Sequence, residues 1–168
     1  DLTLSRGSQI ITGSLIRQEV LVWTDSALYA LQYVGAPVVW GSQLIGENIS
    51  IMSRRSVIVA SDIAYWMGRD KFYIYDGSTK PLPCTVKRYV FSDINFDETG
   101  QIFAGANVEF SEVWWFYPTA NSLVPDRYVI YNYAENLWYY GNLSRTAWLD
   151  SGIKSNPVTT SLTIFGTN

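Results

Sequence analysis

A single thiol, Cys84, stands in Leu82-Pro83-Cys84-Thr85 with Lys87 and Arg88 close behind it. Neighbouring cations lower a thiol's pKa and raise its nucleophilic fraction. The chain has no histidine, however. That removes Ser-His-Asp and Cys-His arrangements and most zinc sites. A free cysteine is among the most often buried side chains, so Cys84 reads as structural. Residues 93–100, Asp-Ile-Asn-Phe-Asp-Glu-Thr-Gly, set oxygen donors at alternate positions, as a calcium loop does. The glycine falls at the eighth place instead of the sixth, and Ala104 stands where a bidentate glutamate is needed. A solvated turn is the better reading. Asp62, Asp76 and Asp126 fall at strand–turn boundaries, where carboxylates bond their own backbone. No spacing nominates a catalytic pair. Gly41-Ser42-Gln43-Leu44-Ile45-Gly46 lacks the Lys-Ser/Thr ending of a phosphate loop. No enzyme activity, metal or cofactor is expected.

The basic residues come as two doublets, Arg54-Arg55 and Lys87-Arg88, with Arg69, Arg127 and Arg145 scattered. A formal charge of −3 gives no global basic field for nucleic acid. The doublets are most simply solubilising loop charges, but facing a common channel they would contact phosphates. Arg54, Arg55, Lys87, Arg88 and Arg127 are the candidate interaction residues, together with Asn121 in the polar loop 118–126. Exposed Trp or Tyr could stack on sugars, whereas a Trp recurring at a fixed place is more simply core. Asn142-Leu143-Ser144 fits a glycosylation acceptor, which has meaning only in a secreted protein.

The elements that must position these residues read as strands. Of 168 residues, 48% are apolar and 16% charged, enough for one well-formed core. One cysteine allows no intrachain disulfide, which fits a reducing compartment or stability through packing and assembly. No apolar run approaches the roughly 18 residues of a membrane span, and no signal segment opens the chain. It starts at Asp1 without Met and ends in what reads as a strand cut short, so a fragment or processed domain is expected.

Residues 9–16, 19–23 and 27–33 are rich in β-branched and aromatic residues and bounded by turn signals, which predicts strands. A fourth is expected at 38–40, with 41–48 as connector. A second cycle runs through 56–60, 63–67 and 72–75 to an outer edge strand at 81–83, where Pro81 and Pro83 cannot donate to a ladder. Val86, Tyr89, Val90 and Ile94 lie on one face of a helix, predicting one short helix near 86–95. A third cycle covers 102–106, 113–117, 128–131 and 137–140. Residues 146–149 and 161–165 then follow as strands.

Trp23, Trp66 and Trp115 end similar blocks, spaced by 43 and 49 residues, each followed by a turn and a Tyr-bearing strand. A period of about 40–50 residues with four strands per period is the signature of propeller blades. One such sheet cannot bury both faces alone, and stacking blades about an axis does so. The expected fold is all-β, with β-propeller-like repeats of four-stranded antiparallel blades at 9–46, 49–100 and 101–145, and a partial one at 146–168, all in one β domain or propeller fragment. Trp23, Trp66, Trp115 and Trp138 are the expected repeat-core aromatics. Three blades and part of a fourth do not close a ring comfortably. The rest must come from a longer chain or another subunit.

Tyr131-Asn132-Tyr133-Ala134-Glu135-Asn136-Leu137-Trp138 resembles the turn-and-strand of kelch-type blades, though the kelch Gly-Gly pair is missing from every cycle. The wider series VLVWTDSALYALQYVG, NISIMS, AYWMGRDKFYIYDG, LPCTVKRYVFSDIN, IFAGANVEFSEVWWFYP, DRYVIYNYAENLWYYG and RTAWLD resembles bacteriophage structural proteins of the tail-nozzle or packaged-DNA-stabilisation kind. It covers about residues 1–150. The resemblance implies a non-enzymatic virion component made in the host cytoplasm. It would be assembled as a homo-oligomeric ring with other tail subunits around a DNA conduit, with DNA-backbone contact as a further expectation. It implies no named functional residues. The alternative is a carbohydrate-binding propeller that recognises a cell-surface glycan through aromatic platforms. A carboxylate-only glycoside hydrolase on a propeller is a third reading.

Overall fold

Strands form where β-branched and aromatic residues alternate or run together between short polar turns. In the computed structural model, which describes residues 4–37, 39–150 and 157–160, they build three four-stranded antiparallel sheets, each a simple meander. The chain divides into two units, Asp1–Cys84 and Thr85–Asn168. The fold is all-β, with one short α-helix among the described residues.

The first unit holds two sheets. Strands β1 (Ile10–Ile16), β2 (Glu19–Thr24), β3 (Ala27–Tyr33) and β4 (Trp40–Glu47) pair in that order. Strands β5 (Val57–Ala60), β6 (Ile63–Met67), β7 (Phe72–Tyr75) and β8 (Thr79–Leu82) do the same. Local polar bonds set the turns. The Thr24 hydroxyl accepts from the Ala27 amide at 2.9 Å and donates to the Ala27 carbonyl at 3.1 Å, closing β2 onto β3. Asp25 accepts from the hydroxyl and amide of Ser8 at 2.6 and 2.8 Å, and these bonds hold its carboxyl below the usual range.

The period of two along each strand decides the packing. Leu21, Trp23, Leu28 and Ala30 share one face of the first sheet, since Trp23 opposes Leu28 and Leu21 opposes Ala30. Ala64, Trp66, Tyr73 and Tyr75 share one face of the second. These faces form a single buried cluster with Ile16 and Ile51. The indoles of Trp23 and Trp66 meet edge to face with centroids 5.2 Å apart, and Trp66 stacks on Tyr73 at 5.2 Å. The Trp66 Nε1 donates to the Ser50 carbonyl at 3.2 Å. A polar bond also crosses between the sheets: the Tyr75 hydroxyl donates to Glu19 Oε1 at 2.7 Å. Between the two sheets, the first strands β1 and β5 approach one another.

The other face of the first sheet carries Leu15, Val20, Val22, Tyr29, Leu31 and Leu44, with Tyr33 and Trp40 at its rim. Leu4 packs over Val22 and Tyr29. Leu15, Leu44 and Trp40 remain exposed.

In the second unit, β9 (Phe103–Asn107), β10 (Glu112–Tyr117), β11 (Arg127–Asn132) and β12 (Leu137–Asn142) form the third meander. Strands β13 (Ala147–Leu149) and β14 (Val158–Thr160) pair separately. Trp148 lies against Trp114 and Phe116, with centroids at 5.5 Å to each. Gly105 permits this, since any Cβ there would collide with the indole. The Asp150 carboxylate accepts from Trp148 Nε1 at 2.8 Å and from the Ala106 amide of edge strand β9 at 2.6 Å. In the β11–β12 turn, the Tyr131 hydroxyl donates to Asn136 Oδ1 at 2.8 Å and its ring lies 4.9 Å from that of Trp138. Asn136 sits at φ +58°, a conformation asparagine tolerates.

Three details differ from the sequence expectation. The fourth strand begins at Trp40 and runs on through residues 41–47, where the sequence predicts a connector. As an outer strand it pairs on one side only, so its Gly41-Ser42-Gln43 run needs no apolar alternation. The helix is a single turn, α1 (Lys87–Phe91), without a side-chain N-cap. Ile94 leaves the helical path and bridges Thr119 instead. Finally, β14 at Val158–Thr160 is the partner of β13; the strand expected at 161–165 lies outside the described residues.

Candidate functional site

The tryptophans singled out by their spacing occupy matching places. Trp23, Trp66 and Trp115 each sit on the second strand of a sheet and are fully buried. Trp138 is on the outer strand β12, half-buried, with its ring 6.1 Å from Trp115.

The candidate polar residues fall into separate groups. Arg54 and Arg55 lie exposed in the turn before β5, in the first unit. Ser53 and Ser56 brace this turn, with the Ser56 hydroxyl donating to the Ser53 carbonyl at 2.9 Å. Lys87, Arg88, Asn121 and Arg127 all belong to the second unit. Lys87 and Arg88 are exposed on α1. The loop 118–126 folds back on the segment after the helix. There the Asn95 amide donates to the Ser122 carbonyl at 3.0 Å, and the Asn95 backbone N–H donates to the Pro118 carbonyl at 3.0 Å. Asn121 is exposed at the tip of that loop.

Arg127 anchors the base of the loop. Its guanidinium donates to the Tyr89 hydroxyl, lies over the Tyr89 ring and is 3.8 Å from Asp93. Tyr89 in turn contacts Tyr140, centroids 4.2 Å apart. Tyr117, the cross-strand partner of Arg127, has a buried hydroxyl with no hydrogen-bond partner among the described residues. Burial, and secondarily the nearby Tyr89, pushes its pKa well above the ordinary tyrosine range. Arg127 is therefore largely committed within the fold, and Lys87 and Arg88 present the outward charge.

The segment resembling a calcium loop is also committed. Asn95 Oδ1 accepts from the Asp97 amide at 3.1 Å, and Asp93 faces Arg127. Among the described residues, no three His, Cys, Asp or Glu side chains are grouped to hold a metal. No helix of the described residues is long and apolar enough to cross a membrane.

A second feature escaped the sequence reading. In the first unit, a cleft of about 490 Å³ opens where the β1–β2 turn meets the end of β3, lined by Arg17, Gln18, Glu19, Gln32 and Tyr33. Glu19 opposes Gln32 across the strand pair, and Glu19 Oε2 accepts from Gln32 Nε2 at 2.9 Å. Its other oxygen takes the Tyr75 hydroxyl. Burial and that carboxylate raise the Tyr75 pKa to about 12. Tyr33 is 67% exposed, and Trp40 meets it edge to face at 5.9 Å. No motif marks these residues. The one available signal was a hairpin with a charged residue and an amide at its turn, and a glutamate opening an otherwise apolar strand.

No protein-family model matches the chain, and no curated protein is significantly similar to it.

Proposed function

We propose that this chain is a non-enzymatic structural module of a bacteriophage virion, a run of propeller-type blades that works by assembling with further copies around the tail's DNA conduit. One observation carries the reading. Three successive four-stranded meanders each bury a tryptophan on the second strand, and the first two stack face to face with their first strands approaching one another. Blades radiating from an axis have that relation, because the innermost strands converge and the outer ones splay.

The outer face of the first sheet supports assembly. Leu15, Leu44 and Trp40 are 67%, 38% and 45% exposed on a face whose strands otherwise bury apolar side chains. Large apolar side chains left exposed at the two edges of one sheet face can be covered by a like sheet from another copy. On this reading the exposed Lys87 and Arg88 are the residues placed to meet phosphate. Size-exclusion chromatography with light scattering tests the proposal. The expected result is a mass of several chains, reduced to one by Leu15→Glu with Leu44→Glu while circular dichroism stays unchanged. A monomer at every concentration reached counts against it.

A further inference from the structure

An outer strand leaves half of its backbone groups without a ladder partner, and proteins normally blunt such an edge. The two outer strands of the first unit differ in this respect. Strand β8 carries Lys80 and Pro81, an exposed cation and a residue with no N–H to offer. Strand β4 has neither device. From Trp40 to Gly46 it holds no proline and no charge, and its first ionic side chain is Glu47, already paired with Arg6 at 3.0 Å. Trp40, Ser42, Gln43 and Leu44 are all exposed.

The register decides which groups are on offer. The Val34 amide donates to the Val39 carbonyl at 3.1 Å, so these residues form a hydrogen-bonded pair. Along an antiparallel ladder such pairs recur at every second residue, and Gln32–Gly41 and Ala30–Gln43 are the next two. Gly41 and Gln43 thus commit their N–H and C=O groups to β3, whereas those of Trp40, Ser42 and Leu44 point away from the sheet. No other hydrogen bond takes up these three among the described residues. Beyond Leu44 a bulge shifts the register, so the flat part of the edge is residues 40–44.

Three outward residues spaced by two are their own complement. In an antiparallel pair with a second copy, centred on Ser42, Ser42 faces the partner's Ser42 and Trp40 faces the partner's Leu44. Each of these pairs exchanges both backbone bonds. No other register matches all three residues. The side chains agree with it. On the outer face Trp40 meets Leu44 on both sides of the axis, an aromatic–aliphatic cross-strand pair, and both are exposed in the single chain. On the other face Gln43 lies opposite the partner's Gly41, where no side chain obstructs it. No like charges meet.

We propose that β4 pairs antiparallel with β4 of a second copy about a two-fold axis at Ser42, joining the two first sheets into one. The contact uses the sheet edge, not the face that carries Leu15, and it does not depend on the copies surrounding a conduit.

The test is a disulfide trap in a Cys84→Ser background, where the introduced thiol is the only one. Across a hydrogen-bonded pair the Cα atoms stand about 5.5 Å apart, within the roughly 4.4–6.8 Å that a disulfide spans. Ser42→Cys oxidised with diamide should therefore give a covalent dimer. In Gln43→Cys the two thiol-bearing residues stand diagonally, at roughly 7–8 Å, and the chain should stay uncrosslinked. Ser42→Pro removes an outward N–H without touching the β3 ladder. It should lower the mass seen by light scattering while circular dichroism stays unchanged. Leu15→Glu alone lies on the far strand of the sheet and should leave the Ser42→Cys crosslink intact. A Ser42→Cys protein that stays monomeric under diamide, equal crosslinking in Ser42→Cys and Gln43→Cys, an unaltered mass in Ser42→Pro, or loss of the crosslink in Leu15→Glu would each overturn the proposal. The edge and face contacts fail separately: if the face contact alone is absent, the mass is that of a dimer and the trap still closes at Ser42.

Discussion

Trp23 and Trp66 are equally buried, face each other across the two sheets of the first unit, and should nevertheless respond differently to the same substitution. Each indole is wholly removed from solvent. The Trp66 Nε1 has a partner in the Ser50 carbonyl at 3.2 Å, whereas the Trp23 Nε1 is buried with no partner among the described residues. Changing either to Phe removes similar apolar volume, so the packing loss is comparable. In Trp66→Phe a hydrogen bond worth about 1 kcal/mol is lost and a carbonyl is left wanting. In Trp23→Phe an unsatisfied N–H disappears, returning about 1 kcal/mol or more of desolvation cost. Trp66→Phe should thus be the more destabilising by about 2 kcal/mol. Urea unfolding followed by far-ultraviolet circular dichroism measures it. At a slope of roughly 2 kcal/mol per M, the midpoints should differ by about 1 M. The double variant adds a check, since touching aromatic rings couple by about 0.5–1.5 kcal/mol. Equal midpoints, or a larger loss for Trp23→Phe, would refute the reasoning.

Other consequences can be measured in the same way. Tyr117→Phe should leave stability unchanged or raise it by up to about 1 kcal/mol, because the deleted hydroxyl is buried and unpartnered; a loss of more than that would reveal a partner. Asn136→Ala should cost about 2 kcal/mol, combining the lost Tyr131 bond with the left-handed backbone, and Asn136→Gly only about half as much. If the two cost the same, the backbone contributes nothing there. Tyr75 ionises near pH 12 against 10.0 for an unperturbed phenol. Its raised pKa means that the stability it contributes is whole below pH 10 and is lost as pH rises through 12. The Tyr75→Phe protein should lack that step in its alkaline unfolding curve, and an identical curve would show that the hydroxyl plays no such part.

Much of the fold was legible where strands are buried on both faces. The central strands β2, β3, β6, β7, β10 and β11 announce themselves through dense β-branched and aromatic runs, because only such residues fill a sheet interior. Strand β4 did not, since an outer strand bonded on one side tolerates Gly41, Ser42 and Gln43. The helix was half legible. Val90 obeys the helical period and is buried, but Ile94 reaches its buried place by bridging Thr119 after the helix has ended. Among the candidate contact residues, the sequence picked out charge but not commitment. Arg127 looks like a free cation until Tyr89 and Asp93 are seen around it. The cleft was invisible for a different reason. Arg17 and Gln18 come from a turn, Glu19 from one strand and Gln32 with Tyr33 from the next, and only the Glu19–Gln32 register joins them.

The hydrogen bond from Tyr75 to Glu19 has a bearing on uniqueness as well as strength. Two stacked sheets with apolar inner faces could slide by two residues and still bury oil against oil, since every second side chain remains inward. Such a slip would take the Tyr75 hydroxyl away from Glu19 and leave polar groups without their partner at the edge of the cluster. A single polar contact between otherwise interchangeable greasy surfaces thus acts as an alignment pin. It adds little to the depth of the native basin and much to its distance from the nearest misaligned one.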